Sequence, residues 1–197
     1  MGTNFKTAIL VLAAGASSRM NEIKQVLPYK DSTLLGNALK MAKMSKSAQV
    51  FCVLGANKDE IQQKVDFLDI EIIENKEWND GLGKSIAVGV ATIQKNSEYN
   101  SILVMLGDQP FITSRYLDKM ISKFNENQSP VIVTNYSGKP GVPALFPQKS
   151  FSELVKISGD SGAKSILKNH ANIIKLEAEN TFDVDSPEDY KKLCSEV

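Results

Sequence analysis

The sequence has a single histidine, His170, and only two cysteines, Cys52 and Cys194. A histidine-built metal centre is thereby excluded, and so is a four-cysteine zinc site, because no CxxC pair occurs. Net charge is also missing. The 23 lysines and arginines offset 23 aspartates and glutamates, so no long-range field draws the chain to nucleic acid or to an anionic membrane. No apolar run approaches the roughly 18 residues that span a bilayer. The run Thr7–Ala14 ends in glycine and serines, which predicts a buried strand and not a signal peptide. Internal repeats, low-complexity tracts and Pro/Ser-rich linkers are absent, which predicts one domain over residues 1–197. What is present, 42% hydrophobic and 23% charged residues, suits a chain that folds around a core, and a cytoplasmic enzyme or binding domain is expected.

Short apolar runs alternate with amphipathic ones. Ala8–Leu12, Gln49–Leu54, Glu71–Glu74, Ile102–Leu106 and Val131–Thr134 are predicted strands, several apolar at consecutive positions as strands covered on both faces must be. Thr33–Met44, Asp59–Phe67, Ser85–Gln94 and Ser114–Phe124 carry apolar residues at helical spacing. This alternation predicts an α/β fold, a Rossmann-like three-layer α/β/α domain with a mostly parallel sheet. Beyond Pro130, the crowding of Gly138, Pro140, Gly141 and Pro143 predicts a loop-rich part that caps the sheet. Chemistry is expected beyond the carboxyl ends of the strands.

The first strand runs into Ala13-Ala14-Gly15-Ala16-Ser17-Ser18-Arg19-Met20. Small residues and a glycine let backbone N–H groups approach phosphate oxygens. Arg19 adds a planar donor fork and Lys24 a point charge; the plainer reading is a tight turn with a surface arginine. Two familiar phosphate loops fail here. Gly15 is the only glycine where a dinucleotide fingerprint needs three, and Gly81-Leu82-Gly83-Lys84-Ser85 has Trp78 where a P-loop needs its first glycine.

Ile102–Leu106 delivers Gly107-Asp108-Gln109-Pro110 at its end. A carboxylate beside a phosphate-binding loop can hold Mg²⁺ against a triphosphate, whereas the plainer reading is a turn aspartate. In Phe182-Asp183-Val184-Asp185 an extended chain puts both aspartates on one face. Ser186-Pro187-Glu188-Asp189 starts a helix with a capping-box-like pattern, which gives Asp189 a structural role and leaves Asp185 free as a second metal ligand. Gly159-Asp160-Ser161-Gly162 looks like a serine-protease nucleophile segment, but that mechanism needs a histidine base. His170 is expected at a helix C-terminus, Cys52 in a buried strand, and Met41, Met44, Met105 and Met120 in the core.

Taken together, these segments resemble the molybdenum cofactor nucleotidyltransferases, most closely the cytidylyltransferase branch. The motifs that carry the resemblance are Leu12–Met20, Lys24-Gln25 with Leu27-Pro28, Trp78–Ile86, Leu106–Pro110, Gly138–Phe146, Gly159–Lys164 and Phe182–Tyr190. The resemblance implies transfer of CMP from CTP to a phosphate on molybdopterin, with Mg²⁺ as cofactor and pyrophosphate as leaving group. It implies a nucleotide site of Leu12, Ala13, Ala14, Gly15, Ser17, Ser18, Arg19, Lys24, Gly81, Ser85 and Asp108. Arg19, Lys24 and Asp108 would be catalytic, and Asp108 and Asp185 would hold the metal. Acceptor binding falls to Gln109, Gly141, Pro143, Gly159, Asp160 and Gly162. The nucleotide-binding part would cover about 1–112 and the acceptor part about 113–197. A molybdoenzyme or its maturation factor is the implied protein partner. Three alternatives stay open: guanylyl transfer to the same cofactor, nucleotidyl transfer to a sugar or polyol phosphate, and a non-catalytic molybdopterin carrier.

Overall fold

The computed structural model describes residues 5–195 except 21, 97, 161, 171, 179 and 181. Its centre is β1 (Thr7–Ala13), in which every residue is buried. Ala8, Leu10 and Leu12 enter one core, while Ile9, Val11 and Ala13 enter another on the opposite face. A strand with period-two geometry and two covered faces needs apolar side chains at every position, which explains the unbroken run in the sequence.

β1 pairs in parallel with β4 (Gln49–Leu54) on one side and with β6 (Ser101–Leu106) on the other, and β5 (Ile70–Glu74) adds to β4. Beyond β6 lie β8 (Lys139–Pro147), β7 (Val131–Tyr136) and β9 (Ile173–Glu177), giving the order β5-β4-β1-β6-β8-β7-β9. Only β8 runs against its neighbours. A small hairpin, β2 (Pro28–Tyr29) and β3 (Ser32–Thr33), stands apart.

The face holding Ile9 is covered by α1 (Leu34–Lys43), α2 (Lys58–Lys64) and α4 (Ser114–Asn127), through residues such as Leu35, Leu39, Ile61, Met120 and Phe124. The other face is covered by α3 (Leu82–Ile93), α5 (Phe151–Leu154) and α6 (Lys164–Asn169). Thr33 and Thr113 start α1 and α4 by accepting from the N–H groups of Gly36 and Tyr116, so two helix starts are fixed by their own N-caps. The closing α7 (Pro187–Ser195) packs Leu193 into a third, smaller cluster with Leu27, Tyr29, Leu34 and Val184. Asp189 accepts from the Ser186 N–H at 2.8 Å and its own N–H donates to Ser186 Oγ, the expected capping box.

Four expectations need correction. The glycine- and proline-rich stretch after Pro130 does not cap the sheet; it forms β8, inside it. Pro140 and Pro143 fit because β6 pairs with β8 only over Ala144–Pro147, so residues 139–143 face a single neighbour, β7. Met44 is not core filler but exposed, at the C-cap of α1. Helix α3 starts at Leu82, three residues before the predicted Ser85, and α2 stops at Lys64, short of Phe67. Cys52 is buried in β4, which pushes its thiol pKa up, while Cys194 is exposed in α7. His170 closes α6 and approaches Ser150 Oγ at 3.5 Å; Ser161 lies outside the described residues.

Candidate active site

β4 and β6 flank β1 on opposite sides, so the carboxyl ends of β1 and β6 border a switch point in strand order. The Gly107 N–H donates to the Leu12 carbonyl at 3.0 Å, which places Asp108 beside the loop that follows β1. In that loop the Leu12 and Ala13 side chains point into the cores, so these residues can offer a ligand only backbone. Ala14 is buried in the cluster against which Trp78 packs. Gly15, Ala16, Ser18 and Arg19 are exposed, and Ser17 takes a left-handed turn at φ 55°.

Four charged side chains, distant in sequence, meet at this point. Lys24 Nζ pairs with Asp108 Oδ2, lies 3.1 Å from Asp185 Oδ1, and donates to the Val184 carbonyl at 3.3 Å. Arg19 Nη2 lies 3.1 Å from the other oxygen of Asp185. Burial works against the charge on Lys24, yet Asp108 and Asp185 outweigh it and hold the ammonium above its ordinary pKa. Val184 is fully buried and its N–H donates to the Asp108 carbonyl at 3.1 Å, so the alternation 183–185 turns both aspartates toward the site.

The neighbouring polar network belongs to Gln109, itself 2% exposed. Its amide donates to Tyr136 Oη at 2.9 Å, to the Val142 carbonyl at 3.1 Å and to Asp183 Oδ1 at 3.0 Å. Burial, opposed in part by that Gln109 bond and aided by Asp108 and Asp185, raises the Asp183 carboxyl to about 6. Gly141 lies against the Tyr136 ring, where an added Cβ would come within 2.7 Å of it.

On the far side of the cleft, Gly81 and Gly159 bring two loops together. The Gly159 N–H donates to the Asp80 carbonyl at 2.9 Å, and the Gly83 N–H donates to the Gly159 carbonyl at 2.8 Å. Gly81 adopts φ 88° and ψ 178°, and a Cβ there would stand 2.5 Å from the Gly159 carbonyl carbon. Backbone of this kind is nearly restricted to glycine. Gly81→Ala is therefore expected to cost about 2–3 kcal/mol, read as a lower midpoint in urea unfolding at unchanged slope.

The sequence matches the MobA-like NTP transferase domain over residues 9–173. The chain belongs to this family. It is a nucleotidyltransferase. Among its relatives is the molybdenum cofactor cytidylyltransferase of Escherichia coli K12, 25% identical over 92% of each chain. Another is the nicotine blue oxidoreductase of Paenarthrobacter nicotinovorans, 28% identical over 93% of this chain and 94% of that one. The structure of Rv0371c from Mycobacterium tuberculosis H37Rv in complex with manganese superposes with a TM-score of 0.83, covering 98% of this chain and 100% of that one at 26% identity.

Of the expected site residues, Arg19, Lys24, Asp108 and Asp185 come together beyond the ends of β1 and β6. Ser85 departs from its expected role: its hydroxyl is buried and takes a hydrogen bond from Asn75 at 3.0 Å instead of facing the cleft. Gln109 and Pro143 are likewise buried, so neither presents a side chain to an acceptor; Gln109 braces Asp183, and the Pro143 carbonyl accepts from Thr134 at 2.8 Å. Asp160 is exposed and Gly162 buried against Leu82. Sequence reasoning named Gln25 only as part of the Lys24-Gln25 motif, with no role, and did not single out Tyr136. A buried glutamine beside the lysine has no periodic signature, and only its partners reveal its use.

A divalent cation fits the donor set. Asp108 Oδ1 is buried without a hydrogen-bond partner among the described residues, and the Lys24 ammonium already stands between the Asp108 and Asp185 carboxylates. Among the described residues no group of three metal-binding side chains gathers. Two carboxylates suit magnesium, which completes its shell with phosphate and water oxygens.

Proposed function

We propose that the chain transfers CMP from CTP to a phosphate on molybdopterin, releasing pyrophosphate with Mg²⁺ as cofactor. The observation that carries this reading is the convergence of Lys24, Asp108, Asp185 and Arg19 beside an amide-rich loop. The relative from Escherichia coli supports the choice of acceptor.

The attacking phosphate oxygen is anionic at neutral pH, so no side-chain base is needed, in keeping with a chain that has one histidine. A bond forms from that oxygen to the α-phosphorus while the bond to the β-phosphate oxygen breaks. Catalysis is then positioning and charge neutralisation. Backbone N–H groups from Gly15 to Ser18 receive phosphate oxygens, and Arg19 and Lys24 neutralise the leaving pyrophosphate. Asp108 and Asp185 would hold the cation, which draws charge from the phosphates. Gly81 and its loop border the nucleotide, and Gly141, Gly159, Asp160 and Gly162 border the acceptor. We assign both halves, about 1–112 and 113–197, to one domain. A cytoplasmic setting follows from the use of a nucleoside triphosphate, and a molybdoenzyme or its maturation factor would receive the product.

The test is a screen of four NTPs with molybdopterin, following pyrophosphate. Release with CTP supports the reading; a redox conversion without pyrophosphate, or release only with a sugar or polyol phosphate, replaces it. Base choice rests on Ala14, where the guanylyl branch is expected to have glycine. Its methyl is buried in the core beside Trp78, so it would act on the base through the position of that loop, a difference worth ~1–3 kcal/mol of discrimination. CTP should therefore outcompete GTP, and Ala14→Gly should raise activity with GTP. A wild-type preference for GTP in equimolar competition would remove the cytidylyl assignment alone.

A further inference from the structure

Among the described residues, five of the six carbonyls from Leu12 to Ser17 accept from protein donors. The Leu12 carbonyl accepts from Gly107, the Ala14 carbonyl from Ala56 at 3.0 Å, and the Ser17 carbonyl from Met20 at 2.8 Å. Two more, those of Ala13 and Gly15, are both taken by one side chain: Gln25 Nε2 donates to the Ala13 carbonyl at 3.0 Å and to the Gly15 carbonyl at 2.9 Å. Gln25 Oε1 accepts from Ser17 Oγ at 3.0 Å, which fixes the way the amide faces, and Ser17 Oγ accepts from the Lys24 N–H at 3.2 Å. Among the described residues, the N–H groups of Gly15 to Arg19 donate to no protein atom.

Carbonyl oxygens pointing at a triphosphate would repel it, whereas amides pointing the same way attract it. Gln25 is 4% exposed, too deep to touch a nucleotide. Resting on the nucleotidyl-transfer reading above, we infer that Gln25 is a positioning residue for the triphosphate: its amide holds the Ala13 and Gly15 carbonyls inward so that the following N–H groups face the phosphates. Through Ser17 it also ties the backbone of Lys24 to the same loop.

The role is tested with the full chain and inorganic tripolyphosphate, a probe with no base or ribose, by titration calorimetry. Gln25→Met keeps the length and removes the amide. Gln25→Glu keeps the shape, still accepts from Ser17, and cannot donate to either carbonyl, so it serves should the first fail to fold. Both should weaken tripolyphosphate and CTP together by about ten- to a hundredfold, the loss of two hydrogen bonds, with the KM for the acceptor unchanged. Thr7→Val is the control for stability alone, because it breaks the buried Thr7–Ser101 pair (2.8 Å) at the opposite end of β1. It should lower the melting temperature and leave tripolyphosphate affinity as it was. Wild-type affinity in either folded Gln25 variant, or an equal loss in Thr7→Val, overturns the positioning role. A wild-type chain that binds neither tripolyphosphate nor any NTP overturns the nucleotide site itself, an outcome separable from the first two.

Discussion

Asp108→Asn should abolish pyrophosphate release, by roughly a thousandfold or more, while leaving the protein folded. The substitution keeps the shape of the side chain and removes only its charge. The backbone of residue 108 still accepts from Val184, and Lys24 still has Asp185 at 3.1 Å, so the segment 183–185 stays in place. What is lost is the carboxylate with a buried, unpartnered oxygen, the feature that best fits a cation. Two measurements check this: steady-state pyrophosphate release at several Mg²⁺ concentrations, and thermal melting. Near wild-type turnover at moderate Mg²⁺ would remove Asp108 from the site. Asp185→Asn should weaken metal use by a smaller factor, since Asp185 is the more exposed of the two carboxylates.

Lys24→Met should lower turnover by about a hundredfold, more than it lowers nucleotide affinity. Charge on the β- and γ-phosphates changes most as pyrophosphate departs, so a cation beside them acts mainly in the transition state. Removing it also leaves Asp108 and Asp185 facing one another without their shared ammonium. The variant should therefore bind Mn²⁺ without nucleotide more tightly than the wild type, because the protein's own cation no longer competes for the two carboxylates. Electron paramagnetic resonance of free Mn²⁺ reads this without any turnover. A Lys24 variant whose only change is a higher KM for CTP would make the lysine a ground-state anchor. Arg19→Ala should follow the same pattern with a smaller loss, because Arg19 is largely exposed and, among the described residues, its ion pair is with Asp185.

Much of the fold is legible in short stretches. The unbroken apolar run of β1 already implies two covered faces, and β1 does feed both large cores. Ser186 and Asp189 announce a helix start that the hydrogen bonds bear out. The opposite error arose at β8. Pro140 and Pro143 lack N–H donors and locally forbid a central strand, and nothing nearby in sequence says that the pairing of β6 with β8 stops at Ala144, short of both. β9 was missed for a similar reason: at the sheet edge Ile173–Glu177 is partly exposed, so its pattern is weak.

By itself, then, the sequence determined the parts that depend on neighbours in the chain: strand and helix periods, the caps, the small-residue loop, and the presence of a carboxylate at the end of β6. The meeting of those parts was decided by tertiary structure. Lys24 and Asp185 are 161 residues apart, and what joins them is the burial of Val184 and Leu193 against Leu27 and Leu34. Gln25 could be read as a lysine's neighbour until its amide was seen on two loop carbonyls, and Ser85 as a ligand contact until its hydroxyl was found serving Asn75. Periodicity encodes which face of an element is apolar. Which polar group a side chain satisfies depends on strand order and register, and those are set only when distant segments compete for the same buried surface.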